Sequence, residues 1–209
     1  MMIKKTTNTY NPFSVELINK IPFYLEETDW ETLLNRLALL NYRATIIGRE
    51  GQGKTALLRA LAEQLQARGF TIKLLYYTKQ RENYSISFIN QFIQELQSDD
   101  FILLDDAERF SWLAWQWFQH GITHKIKGLI TTQRLASRLP VLYECRSSYK
   151  TLNYLLNELF IQPKEAFIFR TEALQLFESH NGNLSMIFND LYHYYAQLEN
   201  INRDDIKIR

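Results

Sequence analysis

The chain has 209 residues, 46% of them apolar, which suits one domain, or one domain with a small appendage, that buries its own core. Its formal charge of +1 excludes a chain-wide attraction to nucleic acid or anionic membrane, though a local basic patch stays open. Cys145 is the single cysteine, so no intramolecular disulfide framework is possible and a reducing, cytoplasmic setting is expected. Lys4 and Lys5 are followed by polar residues rather than a leader's apolar stretch, and no apolar run approaches a membrane span.

Residues 1 to about 10 are polar and expected to fray. Asn11-Pro12-Phe13-Ser14 reads as a turn that docks an aromatic ring. Trp30 to Leu40 carries Leu33, Leu34, Leu37, Leu39 and Leu40 between charges, the pattern of an amphipathic helix, with Glu26 to Asp29 at its start. Ala44-Thr45-Ile46-Ile47 is a short β-branched strand. Helix formers run from Ala56 to Leu65, and Arg68-Gly69 ends that helix. Ile72 to Tyr77 predicts a second strand, and Tyr84 to Leu96 a helix. Phe101 to Leu104 is wholly apolar, as expected of a strand covered on both faces. An aromatic helix from about Glu108 to Gln119 follows, then a strand Gly128–Thr132, a short helix through Arg138, and a last strand Val141–Cys145. Beyond Ser148 the pattern is helical: Tyr149 to Phe160, Lys164 to Ser179, and Leu184 to about Leu198. Strands alternating with helices imply right-handed crossovers and a parallel sheet. The expected division is an α/β domain over 1–147, with its lead-in helix, and a small helical domain over 148–209.

Between the first strand and its helix lies Gly48-Arg49-Glu50-Gly51-Gln52-Gly53-Lys54-Thr55, a G-x-x-x-x-G-K-T phosphate-binding loop in the strand–loop–helix context it needs. Glycines let backbone N–H groups curl around an anion, and the helix N-terminus, reaching Ala56, adds partial positive charge. Lys54 is placed to reach the β- and γ-phosphates and Thr55 to ligate Mg²⁺. The bland alternative is a glycine-rich turn before an ordinary helix. Asp105, at the tip of an apolar strand about 50 residues on, is the second anchor and the expected Mg²⁺ partner of Thr55. Asp106 is the favoured polariser of the attacking water, with Glu108 a second candidate that could instead simply favour the next helix start. Thr131 and Thr132 end a strand expected beside the first, where a hydroxyl can meet the γ-phosphate; Thr131 is the chosen one. Arg134 could reach the same phosphate in cis or a neighbouring subunit's site, or be a solvated surface arginine.

The P-loop, Leu103-Leu104-Asp105-Asp106 and Gly128-Leu129-Ile130-Thr131-Thr132-Gln133-Arg134 together resemble an AAA+ or STAND-type NTPase. Asn11-Pro12-Phe13-Ser14 and Leu57-Leu58-Arg59-Ala60-Leu61 are similar to AAA+ ATPases that help transposition or envelope secretion. The resemblance implies a three-layer α/β P-loop sandwich, a five-stranded parallel sheet of order 5-1-4-3-2, a helical lid, and ATP with Mg²⁺ as ligands. It also implies that Pro12 and Phe13 pack near adenine. Two departures matter. Asp106 stands where many such ATPases carry glutamate, and Gly182-Asn183-Leu184-Ser185 has serine where a lid arginine is expected. Both argue for a slow hydrolase or nucleotide-gated switch acting on a protein partner or through self-association. Competing readings are a DNA-associated ATPase, a non-hydrolysing nucleotide-binding module and a small-molecule kinase.

Three further features are weighed. Phe110 to Phe118 holds three tryptophans and suits either core or a partner surface. His120 and His124 have metal-ligand spacing but no acidic or cysteine neighbour, and Gly121 disfavours a helix there. Lys79, Arg81, Lys125, Lys127, Arg134, Arg138 and Arg146 fall in loops and suit a DNA surface or a solvated rim.

Overall fold

A computed structural model of the chain describes residues 11–76, 86–135, 138–160 and 163–207. The calls on residues 1–10, Tyr77, Lys79, Arg81 and Tyr84 lie outside that set. The chain divides into two units: one is continuous, Leu25–Arg146, and the other joins the segment up to Tyr24 to Ser147–Arg209.

The continuous unit is a parallel sheet between helices. Its strands are β1 (Arg43–Ile47), β2 (Thr71–Leu75), β3 (Asp100–Leu104), β4 (Gly128–Gln133) and β5 (Val141–Glu144), in the order β2-β3-β4-β1-β5. Read from the other edge this is the expected 5-1-4-3-2, and every pairing is parallel. Every residue of β3 and β4 is buried, which is why their sequences are continuous runs rather than alternating ones.

β1 leads through one helix to the far edge strand β2, whereas β2 to β3 and β3 to β4 step back the other way. Right-handed crossovers therefore put α3 (Lys54–Gln66) on one face and α4 (Ile86–Gln94) and α5 (Trp112–Ile122) on the other. The α3 leucines Leu57, Leu58, Leu61 and Leu65 are almost wholly buried, each contributing about 1.5–3 kcal/mol. On the opposite face, Ile89, Ile93, Trp115, Phe118 and Ile122 join Ile102, Leu104 and Leu129 in one core cluster. The lead-in helix α2 (Trp30–Leu39) begins where the Asp29 carboxylate accepts the Thr32 N–H at 2.8 Å, and Arg36 donates to the Val141 carbonyl of β5 at 2.9 Å.

Three local expectations change. The aromatic helix starts later and runs on through Gly121: a 3₁₀ turn covers Ala107–Arg109, and Ser111 then caps α5 by accepting the Ala114 N–H. Gly121 is kept inside because a Cβ there would collide with the Ile93 side chain of α4. The described residues of the expected short helix up to Arg138 form bends instead.

The other unit holds α1 (Val15–Ile18), α6 (Tyr149–Leu159), α7 (Pro163–Ser179) and α8 (Leu184–Lys207). Its core gathers Phe13, Leu152, Leu156, Phe169, Ala173, Leu184, Ile187, Phe188 and Leu191. The N-terminal segment therefore belongs with the C-terminal helices, not with the sheet unit of the expected 1–147 division. The cause is Phe13: it is 2% exposed, with the rings of Phe160, Phe169, Phe188 and Tyr195 centred 5.2–6.3 Å away.

Candidate functional site

The C-terminal ends of β1, β3 and β4 lie side by side, and the residues singled out in the sequence meet there. Gly48 leaves β1 with its N–H donating to the Gln133 carbonyl of β4 at 3.2 Å. Its φ is +155°, and a Cβ would sit 2.6 Å from the Cys145 carbonyl oxygen, so the loop can turn only at glycine. Gln52 accepts the Arg49 N–H at 2.9 Å, and Gly53, with a left-handed φ of 86°, opens α3. Lys54 is 8% exposed, and its ammonium donates to the carbonyls of Gly48 (2.7 Å) and Arg49 (2.9 Å). The loop thus closes around its own lysine, at a helix start whose first N–H groups have no partner within the helix.

Asp105 is the hub. Its N–H donates to the Leu75 carbonyl at 2.9 Å, which fixes the strand tip. One carboxylate oxygen accepts the Thr55 hydroxyl at 2.8 Å, and the other accepts the Thr132 hydroxyl at 2.5 Å. Thr132 in turn accepts the Asp106 N–H at 2.8 Å. A threonine hydroxyl facing a carboxylate is a hard oxygen donor set. It suits Mg²⁺, which takes few protein ligands and keeps its remaining positions for water and phosphate oxygen.

Thr131, the hydroxyl expected to face the phosphate, does not serve that role. It is 0% exposed, and its hydroxyl donates to the Thr45 hydroxyl of β1 at 2.9 Å. Thr45 and Thr131 are register partners on one face, while Thr132, one residue on, points the other way toward Asp105. Thr132 is the β4 residue at the site. Sequence reasoning also passed over Gln133. It is 1% exposed, its Oε1 accepts the Arg138 N–H at 3.0 Å, and its Nε2 has no hydrogen-bond partner among the described residues. The available signal was its place at the tip of a buried strand.

Asp106 adopts a left-handed φ of 55°, and its carboxylate takes an ion pair from Arg109 at 3.3 Å. Burial, and then the Asp106 charge, hold the Glu108 carboxyl above the ordinary carboxylate range, while a backbone hydrogen bond, Lys54 and Arg134 pull the other way. Arg134 sits between two acids, Glu50 of the P-loop at 3.1 Å and Glu108 at 3.5 Å. Phe13 is enclosed by aromatic side chains of its own unit, and Pro12 is buried beside it, so the ring expected near adenine serves the helical core.

Residues 44–132 match the family model for AAA, "ATPase family associated with various cellular activities". The sheet around that stretch has the fold of an AAA+ P-loop NTPase. Solved AAA+ structures share its fold. A replication initiator DnaA bound to AMPPCP and single-stranded DNA is similar with a TM-score of 0.52 and 18% identity, over 88% of this chain and 67% of that one. A DNA replication initiation factor gives 0.52 and 18% over 87% and 67%. A RuvB variant of Thermotoga maritima gives 0.51 and 14% over 87% and 73%. No curated protein matches the sequence. Among the described residues, no helix is long and apolar enough to cross a membrane.

Proposed function

We propose that this AAA+ chain binds ATP with Mg²⁺, hydrolyses it slowly, and uses the bound state to signal to a protein partner. The observation that carries the reading is the Thr55–Asp105–Thr132 relay set against the Lys54 loop. Gly48 through Ala56 would wrap the phosphates, with Lys54 exchanging its two loop carbonyls for phosphate oxygens. Thr55 and Asp105 would hold Mg²⁺, which neutralises phosphate charge when bound. Glu108, with its raised carboxyl pKa, is the better candidate to take a proton from the attacking water. Asp106 is the alternative, with its carboxylate held by Arg109. Slow turnover is supported by that ion pair and by Ser185, which is exposed in the first turn of α8.

Arg134 gives the switch a physical form. A phosphate at the loop competes with Glu50 and Glu108 for its guanidinium, so nucleotide state would set whether Glu108 is paired.

Lys54→Ala tests the reading. Affinity for a fluorescent ATP analogue should fall by about two orders of magnitude or more, with turnover lost, because the lysine is a principal phosphate contact in this template. Unchanged affinity and turnover would sink it. A DNA-associated function has one support, the fold shared with the single-stranded-DNA-bound DnaA. Against it, Arg134, Arg138, Arg146 and Lys127 already face a carboxylate, a carbonyl or a ring. Salt-dependent binding to DNA that strengthens with ATP would favour it.

A further inference from the structure

The outer sides of α4 and α5 take no part in the nucleotide site. Neither helix contains an Asp, Glu, Lys or Arg, in a chain where 22% of residues are charged. Their inner sides fill the core, but Ile86, Trp112, Leu113 and Trp117 are 57%, 69%, 71% and 51% exposed. The Trp117 indole N–H donates to the Asn90 side-chain carbonyl at 2.7 Å and ties the helices into one surface. Exposed apolar surface of this kind marks an interaction site, and tryptophan is a preferred anchor of such contacts.

The charges around this surface indicate what covers it. Both helices run antiparallel to the strands and lie side by side, so their C-terminal ends share one edge of the sheet. Past α4 come Glu95 and Asp99, and past α5 comes Lys125; all three are exposed. A two-fold axis parallel to the helices lays α5 of one copy over α4 of the other. The neutral faces then meet without repulsion, and each acidic edge meets the other copy's basic edge. An isologous pairing needs that self-complementarity.

We propose that the α4–α5 face is the contact surface for a second copy of this chain. Helices of 9 and 11 residues present less area than a standard-size interface, so the association belongs at the weak end, with a Kd on the order of micromolar.

Sedimentation velocity of the full chain, from low to high micromolar concentration, tests this. The expected result is a monomer–dimer equilibrium. Leu113→Glu should weaken it by about tenfold or more by placing an unpaired charge at the contact, with an unchanged far-ultraviolet spectrum. Lys125→Glu should weaken it several-fold, and adding Glu95→Lys should restore it. A monomer at every concentration, a dimer indifferent to Leu113→Glu, or a charge swap that fails to restore association would each overturn the proposal. So would wild-type binding to neutral phosphatidylcholine vesicles that Leu113→Glu abolishes, which would assign the face to a membrane surface.

Discussion

Replacing Thr132 with valine removes one oxygen from a side chain that is 0% exposed and leaves its shape almost unchanged. No cavity opens, so the effect isolates two hydrogen bonds. The hydroxyl donates to the Asp105 carboxylate at 2.5 Å, and a hydrogen bond to a charged group contributes about 1.5–3 kcal/mol. It also accepts the Asp106 N–H at 2.8 Å, and stranding a buried donor costs about 1–3 kcal/mol. The two overlap in one network, so about 2–4 kcal/mol is expected, or roughly 5–15 °C in the melting temperature for a chain of this size. Turnover should fall more than stability, because Asp105 loses one of the hydroxyls that orient it beside Thr55. Thr131→Val is the matched control. It breaks a bond to Thr45 at 2.9 Å, should cost about 1 kcal/mol, and should leave turnover intact. Urea melts and steady-state ATP hydrolysis on both variants decide the matter. If Thr131→Val is the variant that abolishes turnover, or Thr132→Val stays within about 0.5 kcal/mol of the parent with normal turnover, the assignment of Thr132 is wrong.

Glu108→Gln should preserve nucleotide affinity and lower turnover by about 10²–10⁴-fold, whereas Asp106→Asn should have the smaller effect; single-turnover kinetics distinguish them. Because burial holds the Glu108 carboxyl above the ordinary range, the acidic limb of the turnover–pH profile should sit at higher pH than for an exposed glutamate, and Glu108→Gln should remove that limb. The Cys145 thiol is pushed up to about 12 by burial, so at pH 8 its labelling in the native chain should be roughly 10³-fold slower than after unfolding, followed by thiol-reagent kinetics. The same shift sets a sign: above the thiol's ordinary value of 9.0 the unfolded chain loses this proton while the native one keeps it, so stability should decline as pH rises from 9 toward 12, and Cys145→Ala should flatten that decline in urea melts.

The sheet was legible because its signals are local. The glycine loop after Ala44–Ile47 and the unbroken apolar Phe101–Leu104 each specify a strand and its burial, and the order 5-1-4-3-2 followed from resemblance. Lys54, Thr55 and Asp105 were legible for the same reason. What escaped depends on neighbours distant in sequence. Thr131 and Thr132 are the same residue type one position apart, and only the register with Thr45 says which faces Asp105. The choice between Asp106 and Glu108 turns on Arg109 and Arg134, whose side-chain directions no periodicity encodes. Gly121 read as a helix breaker until Ile93 occupied the space of its missing Cβ. Phe13 was drawn toward a ligand, yet its partners lie well over a hundred residues away, in helices whose own faces left room for one more ring.

The helical unit draws on two separate stretches, one holding Phe13 before residue 25 and the other after residue 146, while the sheet unit is one stretch between them. In genetic terms the nucleotide-binding segment is an insert with both boundaries inside the reading frame. A change on either side of residues 25–146 is therefore felt by residues on the other side. Removing Phe13 is a lesion in the helices after residue 146, and swapping those helices requires carrying the Phe13 segment with them.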